Sequence, residues 1–340
     1  ADVERIAGTL RADLDRVVAA WPRAWEPHLL RAWVAHQRLL RRADTALAAE
    51  ARNEYGLALD LARDHPRARS AILLNLGLLL ATLGDDAATL RVLDERDALP
   101  FEAPSGRLVA RLARARALFR TDRPADAAAA SLAALAQVRA DASLSGYLPL
   151  VLDRAALYLA QADRPGEALA LLDELAPLAD AMTGPDADVT RFKVALRRAS
   201  AALATGRYDV ALDAVRAARD RLDRIDPWPR TVSDGLGGPP GRRVFARADD
   251  EGLLDAFQAQ ALAGLGRLPE ALDRLALRRQ GLEKRLKRLD LDEDVLELAR
   301  VAYHTGRWTW ALGDRAGAVA AFERGLARAR SYGERTGTPV

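Results

Sequence analysis

Residues 306–322 read Gly-Arg-Trp-Thr-Trp-Ala-Leu-Gly-Asp-Arg-Ala-Gly-Ala-Val-Ala-Ala-Phe, and this stretch decides the fold. The small residue Gly306 precedes a helix-breaking glycine by seven positions, and Ala318 and the large Phe322 follow that glycine. The same layout recurs at five other places in the chain: residues 259–275, 156–172 and 199–215, and, more weakly, around Gly77 and Ala115. A sequence unit that recurs in this way predicts a repeated structural unit.

Each unit is typical of two helices joined by a tight turn. The small residue lies where the two helices of a pair cross closely, and a Gly or Asp closes the turn between them. The Ala of the second helix meets the first helix at short range, and large residues on the outer stripes fill the gap to the next pair. The sequence therefore predicts an all-α chain of antiparallel helix pairs, with about fifteen helices at this repeat length.

The pattern of small residue, Tyr or Leu, Gly, Ala, and Phe or Leu resembles the tetratricopeptide repeat, over roughly residues 28–335. The small residues follow one another at intervals of 38, 41, 43, 60 and 47 residues, whereas the period of the family is about 34. The longer intervals resemble the long-repeat varieties of bacterial signalling ATPase regulators, kinesin-light-chain-type adaptors and protease-associated sensors. The resemblance implies a right-handed α-solenoid that binds a partner in its concave groove.

Composition changes along the chain predict four segments. They are N-terminal capping helices in residues 1–65, repeats in 66–225, a Pro/Gly-rich inserted loop in 226–252 and C-terminal repeats in 253–340. A loop of this length is either functional or disordered, and the sequence leaves both open. Trp21, Trp25 and Trp33 lie in the first segment, where a hydrophobic cap is favoured over an aromatic ligand cage.

Charge and composition exclude several classes of function. The 51 basic and 48 acidic residues give a formal net charge of +3, which makes nucleic acid an improbable partner because phosphate backbones require a concentrated positive field. The chain has no cysteine, so disulfides and thiolate chemistry are excluded. The longest apolar stretch, residues 71–81, is too short to be a transmembrane segment. An Ala at the first position favours an exported, periplasmic protein, with a cytoplasmic one as the alternative.

Motifs for catalysis, metals and cofactors are incomplete. The glycine-rich residues 235–240 have Pro where a dinucleotide fingerprint needs its last Gly. Residues 290–301 begin like a calcium loop but have Val at its sixth and twelfth positions, so we expect a solvated acidic helix start there. The Arg and Lys residues in 274–288 are distributed over all sides of one helix and do not share a face, which indicates a solvated helix. We expect no cofactor, no metal and no enzymatic activity.

The family resemblance implies which side chains line the concave surface. With the small residue counted as the eighth position, ten candidate binding residues face inward: Arg116, Phe119, Arg120, Lys193, Arg197, Arg300, Tyr303, His304, Arg307 and Trp310. Lys193 and Arg197 match the last part of the carboxylate clamp of chaperone-docking members, whereas the other clamp residues are absent. Cationic side chains with interleaved aromatic rings favour an acidic or C-terminal peptide.

Two functions are consistent with this pattern. The first is a non-enzymatic scaffold or adaptor that binds a peptide or protein in the groove. The alternative is the sensor or regulatory region of a bacterial signalling system whose effector domain lies elsewhere. The sequence does not predict an oligomeric state.

Overall fold

The computed structural model describes residues 2–41, 44–99, 103–184, 187–225, 230–231, 244–245 and 247–338. These residues form fifteen α-helices, which confirms the all-α prediction and the number of helices. The chain divides into two compact units, one of residues 1–163 with 231–244 and one of residues 164–230 with 245–340.

The first unit contains eight α-helices. They are α1 (Asp2–Ala20), α2 (Trp25–Leu39), α3 (Thr45–Leu61), α4 (Pro66–Leu83), α5 (Asp86–Asp97), α6 (Pro104–Arg120), α7 (Pro124–Ala140) and α8 (Leu148–Gln161). A 3₁₀ helix, Ala142–Tyr147, precedes α8. Neighbours in sequence pack together: α2 on α3, α4 on α5, α5 on α6, α6 on α7, and α7 on α8.

The second unit contains the other seven helices. They are α9 (Pro165–Ala181), α10 (Ala187–Ala204), α11 (Tyr208–Leu222), α12 (Arg247–Gly264), α13 (Leu268–Leu289), α14 (Asp292–Ala311) and α15 (Arg315–Thr336). The most extensive contacts join α14 to α15, α10 to α11, and α12 to α13. Each pair also packs against the next, through α11 on α12 and α13 on α14.

The segment between α11 and α12 contains two short strands, β1 (Arg230–Thr231) and β2 (Val244–Phe245), which pair with each other. Helix α12 begins at Arg247, so the last part of the predicted 226–252 loop is helical. Most of the predicted loop lies outside the described residues, namely residues 226–229, with Trp228, and 232–243. The structure therefore does not test whether the loop is functional or disordered.

The turns within the helix pairs share one backbone geometry. One residue in each turn adopts the left-handed conformation, with φ between 58° and 89°: Gly84, Asp122, Asp163, Gly206, Gly266 and Gly313. In four of these turns the next amide donates to the carbonyl five residues earlier at 2.9–3.0 Å, as Arg207 N does to Ala202 O. This hydrogen bond satisfies a carbonyl at the end of the first helix. The turn predicted from Gly or Asp is thus confirmed.

The small residues also lie where the sequence places them, at close contacts between paired helices. A Cβ added to Gly77 would lie 3.1 Å from the Leu93 side chain on α5, and one added to Gly306 would lie 2.8 Å from the Phe322 ring on α15. The small residues of the other pairs are almost fully buried: Ala115, Ala156, Ala199 and Ala259. Bulk is therefore excluded at these positions by the neighbouring helix.

A buried polar network lies within the core formed by α2, α3 and α4. The Nδ1 atom of His28 is 2.7 Å from Oε2 of Glu54, whose other oxygen is 3.2 Å from the Arg31 guanidinium. His36 lies nearby in the same core, with its Nε2 atom 3.4 Å from the hydroxyl of Thr82. Such groups are tolerated in a core because they are paired with one another.

The three N-terminal tryptophans differ in their surroundings. Trp25 packs against the core formed by α2, α3 and α4, whereas Trp21 and Trp33 are exposed. The capping role expected for residues 1–65 stays a prediction.

Candidate functional site

Helix α14 carries the largest group of predicted binding residues, and its beginning is fixed by a buried ion pair. Asp294 in its first turn is fully buried and accepts hydrogen bonds of 2.9 and 2.8 Å from Nε of Arg285 on α13. The expectation of a solvated acidic start is therefore wrong for Asp294. The sequence pattern missed this role because the pairing joins two different helices.

The basic helix α13 also differs from the expectation of a solvated helix. Arg278 is buried, and its guanidinium occupies the space where a side chain at Gly252 would lie. Burial of arginine requires charged or polar partners. The stretch from 274 to 288 thus contributes to packing within its unit as well as to the surface.

One face of α14 forms an exposed row, which we call the α14 row: Arg300, Tyr303, Arg307 and Trp310. Their spacing of three, four and three residues places them along one side of a helix. Tyr303 is 53% exposed and Trp310 is 52% exposed, so two large rings face solvent. The row combines apolar ring surface with guanidinium donors.

Neighbouring side chains position the α14 row. The Arg300 guanidinium donates a hydrogen bond to Glu297 one turn earlier, and the Arg315 guanidinium lies 5.6 Å from the centre of the Trp310 ring. The centre of the Tyr303 ring is 6.1 Å from the centre of the Phe322 ring of α15. Arg307 has no carboxylate partner in the part of the chain that the structure describes. Its charge is therefore available to a ligand.

His304 lies behind the row and is half-buried. The centre of its ring lies 5.4 Å from the centre of the Tyr303 ring and 5.5 Å from the centre of the Trp308 ring. Burial lowers the pKa of His304, the nearby Arg307 lowers it further, and Glu297 opposes both. The imidazole is consequently neutral at pH 7.

The three predicted residues on α6 lie in the first unit and make internal contacts. The Nε atom of Arg120 is 3.1 Å from Oδ2 of Asp86 on α5. Burial raises the pKa of Asp86, and the charges of Arg120 and Arg116 counter that rise. The Phe119 ring is half-buried, and its centre lies 5.0 Å from the centre of the Tyr158 ring on α8. Part of this predicted lining therefore stabilises α6 against its neighbours.

Lys193 and Arg197 on α10 are both half-buried. Helix α10 packs against α9, α11 and α12, whereas α14 packs against α13 and α15. The two sets of residues thus belong to pairs separated by the α12–α13 pair. Of the ten predicted residues, the structure groups five on one helix: Arg300, Tyr303, His304, Arg307 and Trp310.

A groove of about 290 Å³ lies between α11, α12 and α13. Three arginines border it, and each is paired with a carboxylate: Arg216 with Asp213 at 2.8 Å, Arg267 with Glu270 at 2.6 Å, and Arg274 with Asp255 at 3.9 Å. Because these charges are neutralised internally, the groove offers less to a charged ligand than the α14 row does.

The described residues contain neither a membrane-spanning helix nor a group of side chains that could bind a metal ion. No helix in that part of the chain is both long enough and apolar enough to cross a bilayer. No three His, Asp or Glu side chains there are grouped so that they could hold a metal ion.

Comparison with solved structures shows a TPR-like helical-repeat fold. A signal-transduction ATPase with numerous domains and a tetratricopeptide repeat sensor, from Pyrococcus horikoshii, matches with a TM-score of 0.55 at 11% identity. That match covers 98% of this chain and 48% of the ATPase. The apo quorum sensor NprR from B. thuringiensis matches with a TM-score of 0.54 at 13% identity, covering 96% and 93% of the two chains.

The apo form of RapI gives a TM-score of 0.53 at 10% identity, covering 90% of this chain and 77% of RapI. No protein-family model and no curated protein sequence matches the chain. The structural matches confirm the TPR-like α-solenoid class predicted from the repeats, and at these identities they show the fold alone.

Proposed function

We propose that this chain is a non-catalytic binding module that holds an acidic peptide or protein segment against the α14 row. The observation that carries the proposal is the arrangement of two half-exposed aromatic rings and the unpaired Arg307 on one face of a helix. A helix held at its start by a buried ion pair presents these groups in fixed positions, which reduces the entropy lost on binding.

The chemistry of the row fits a carboxylate-bearing partner. Tyr and Trp provide large apolar surface with few rotatable bonds, and the Arg307 guanidinium can donate two parallel hydrogen bonds to one carboxylate. A charge-assisted hydrogen bond of this kind contributes about 1.5–3 kcal/mol. Lys193 and Arg197 on α10 are retained in the proposal as additional contacts within the same unit. Arg116, Phe119 and Arg120 on α6 are retained as a separate proposed binding surface of the first unit.

A second candidate function is a sensor or regulatory region. The observation that favours it is the nature of the structural matches, since NprR is described as a quorum sensor and the Pyrococcus protein has a tetratricopeptide repeat sensor. A sensor requires that ligand binding change a second part of the molecule. Hydrogen exchange after peptide binding separates the two functions: protection confined to α14 and its neighbours supports a scaffold, and altered exchange in distant helices supports a sensor.

The proposal is tested by selecting peptides from a random library displayed on phage against the full chain. We expect the selected peptides to be enriched in Asp and Glu. Replacing Arg307 and Trp310 together by Ala should weaken their binding at least about tenfold, which corresponds to about 1.4 kcal/mol. The matched control replaces the exposed Arg324 and Arg328 by Ala, which removes charge elsewhere on the same helix pair. Selected peptides without acidic residues, or equal affinities for both variants, would contradict the proposal.

His304 adds a pH dependence to this binding. Because burial and the nearby Arg307 lower the pKa of His304, its imidazole gains a proton only at a lower pH than an ordinary histidine does. An acidic peptide should then bind more tightly in acid, down to the pH at which its own carboxylates are protonated. Titrations of wild type and His304→Gln between pH 7.5 and 5 should diverge as the pH decreases, and parallel curves would remove His304 from the site.

A further inference from the structure

Helix α15 exposes a large apolar residue at a position that is buried in the five earlier helix pairs. Counted from the left-handed residue of the turn, the ninth residue is at most 3% exposed in five pairs: Leu93, Ser131, Leu172, Val215 and Leu275. The corresponding residue of α15 is Phe322, which is 36% exposed. Val319 and Leu326 on the same side of α15 are 48% and 50% exposed. We call Val319, Phe322 and Leu326 the α15 strip.

In the earlier pairs, the second helix packs against the first helix of the following pair. This holds for α5 on α6, α7 on α8, α11 on α12 and α13 on α14. Helix α15 packs against α14 mainly through the side that contains the buried Ala318, Ala321 and Gly325, and one edge of the Phe322 ring also lies close to Gly306 of α14. The α15 strip therefore has the shape and composition of a surface on which a helix docks.

A repeated ion pair indicates the charge of the docking helix. Asp94 on α5 accepts a hydrogen bond of 2.5 Å from Arg114 on α6, and Asp173 on α9 accepts one of 2.7 Å from Arg198 on α10. Each acid is the tenth residue after the left-handed residue of its turn, and each Arg directly precedes the small residue of the next pair.

The tenth position after the turn in α15 is Glu323, which is exposed and has no cationic partner within the described ranges. Glu323 thus repeats the acidic half of an ion pair whose basic half is supplied by an incoming helix in two of the five earlier junctions.

We infer that the α15 strip is a docking surface for an amphipathic helix of another protein, which carries an Arg or Lys opposite Glu323. The apolar side chains of this docking helix lie three or four residues apart and cover the α15 strip. The surface adjoins the α14 row through the contact between Tyr303 and Phe322, but it uses other residues and the opposite charge, so it is distinct from the acidic-peptide site.

A second copy of this chain fits the strip less well. Two α15 helices packed antiparallel about Val319 and Leu326 would place the exposed Arg315 of each copy opposite the exposed Arg330 of the other. Like charges at such positions oppose association. Charge complementarity therefore favours a helix of another protein that has a basic residue opposite Glu323 and no basic residue opposite Arg315 or Arg330.

The test uses a peptide that already docks in this way within the chain. A labelled peptide with the sequence of residues 187–204 contains Arg198, which pairs with Asp173 in the folded protein. Fluorescence anisotropy with the full chain should show saturable binding. Glu323→Arg should weaken it at least tenfold, and a peptide with Arg198→Glu should restore binding to that variant. Glu334→Arg, the same charge change at another exposed position of α15, is the matched control and should leave binding unchanged.

The outcomes separate this inference from the proposed function. Replacing Arg307 and Trp310 by Ala should leave binding of the 187–204 peptide within twofold of wild type, so either surface can fail without the other. Absence of saturable binding, or Glu323→Arg without effect, would overturn the inference. A concentration-dependent increase in mass that Phe322→Glu abolishes would reassign the strip to a second copy and would also overturn it. Circular dichroism of each variant verifies the fold.

Discussion

His36 should make the first unit less stable in acid. Its imidazole is 4% exposed, lies edge-on to the Tyr55 ring with 6.3 Å between ring centres, and is 3.4 Å from the Thr82 hydroxyl. Burial lowers the pKa of His36 from 6.5 to about 4. The unfolded chain therefore binds a proton near pH 6.5, whereas the folded chain binds it only near pH 4. Between those values the unfolded state binds more protons, so the free energy of unfolding falls as the pH falls.

The size of the effect follows from the shift in pKa. A difference of about 2.5 pH units, at about 1.4 kcal/mol for each unit, corresponds to about 3 kcal/mol of stability present above pH 6.5 and lost as the pH approaches 4. This is a large fraction of the stability of an ordinary domain. Since His36 is almost fully buried, solvent screening does not reduce it substantially.

Urea unfolding of wild type and His36→Gln, measured at intervals from pH 7.5 to pH 4, checks this prediction. Other titrating groups contribute equally to both proteins, so the difference between their pH dependences isolates His36. His65→Gln is the control, because it makes the same substitution at an exposed histidine that lies before the start of α4. If His36→Gln loses stability in acid as steeply as wild type, the reasoning from burial is refuted.

Three further changes test the packing and turns. Asp122→Gly should stabilise the protein by about 1 kcal/mol because glycine adopts a left-handed conformation without strain, and Gly206→Asp should destabilise it by a similar amount, both read from urea midpoints. Gly306→Ala should cost about 1–3 kcal/mol because the new methyl group meets the phenyl ring of α15, whereas Gly56→Ala, with no atom nearby, should raise the melting temperature slightly through helix propensity. Asp294→Ala should cost about 1.5–3 kcal/mol, since it removes the buried carboxylate that accepts charge-assisted hydrogen bonds from the half-buried Arg285; unchanged unfolding would show that the ion pair does not stabilise α14.

The repeat positions could be predicted from the sequence because their chemistry is local. A left-handed turn requires Gly or Asp at one position, and a close helix crossing requires a small residue seven positions earlier. Gly77, Asp122 and Gly306 meet these requirements without reference to distant residues. The spacing alone therefore predicted the helix pairs, their turns and the number of helices.

The charged contacts between helices could not be predicted in the same way. Asp294 and Arg278 belong to stretches that look solvated when only their own helix is considered, yet both are buried. Their burial depends on which side chain of another helix approaches them. Likewise, the pairing of Arg120 with Asp86 involves two helices, and position within α6 alone did not reveal it.

The exposure of the α15 strip could be foreseen only in part. Phe322 is a large apolar residue, as expected for its position in the repeat. The sequence alone does not distinguish it from the buried residues at the same position of the earlier pairs. The difference lies in its surroundings, since Leu275 at the same position of α13 is covered. The residue pattern predicts the surface, and the structure shows that it is uncovered in the described chain.

The packing of each helix on its neighbours in sequence has a consequence for biosynthesis. Contacts between consecutive helices have low contact order, so little loop-closure entropy opposes their formation. A helix pair can acquire its partners as soon as the next helix leaves the ribosome, and each unit can fold progressively from its N-terminal end. Every newly completed pair then presents an apolar strip until the following helix arrives, so each strip is exposed for a time during synthesis.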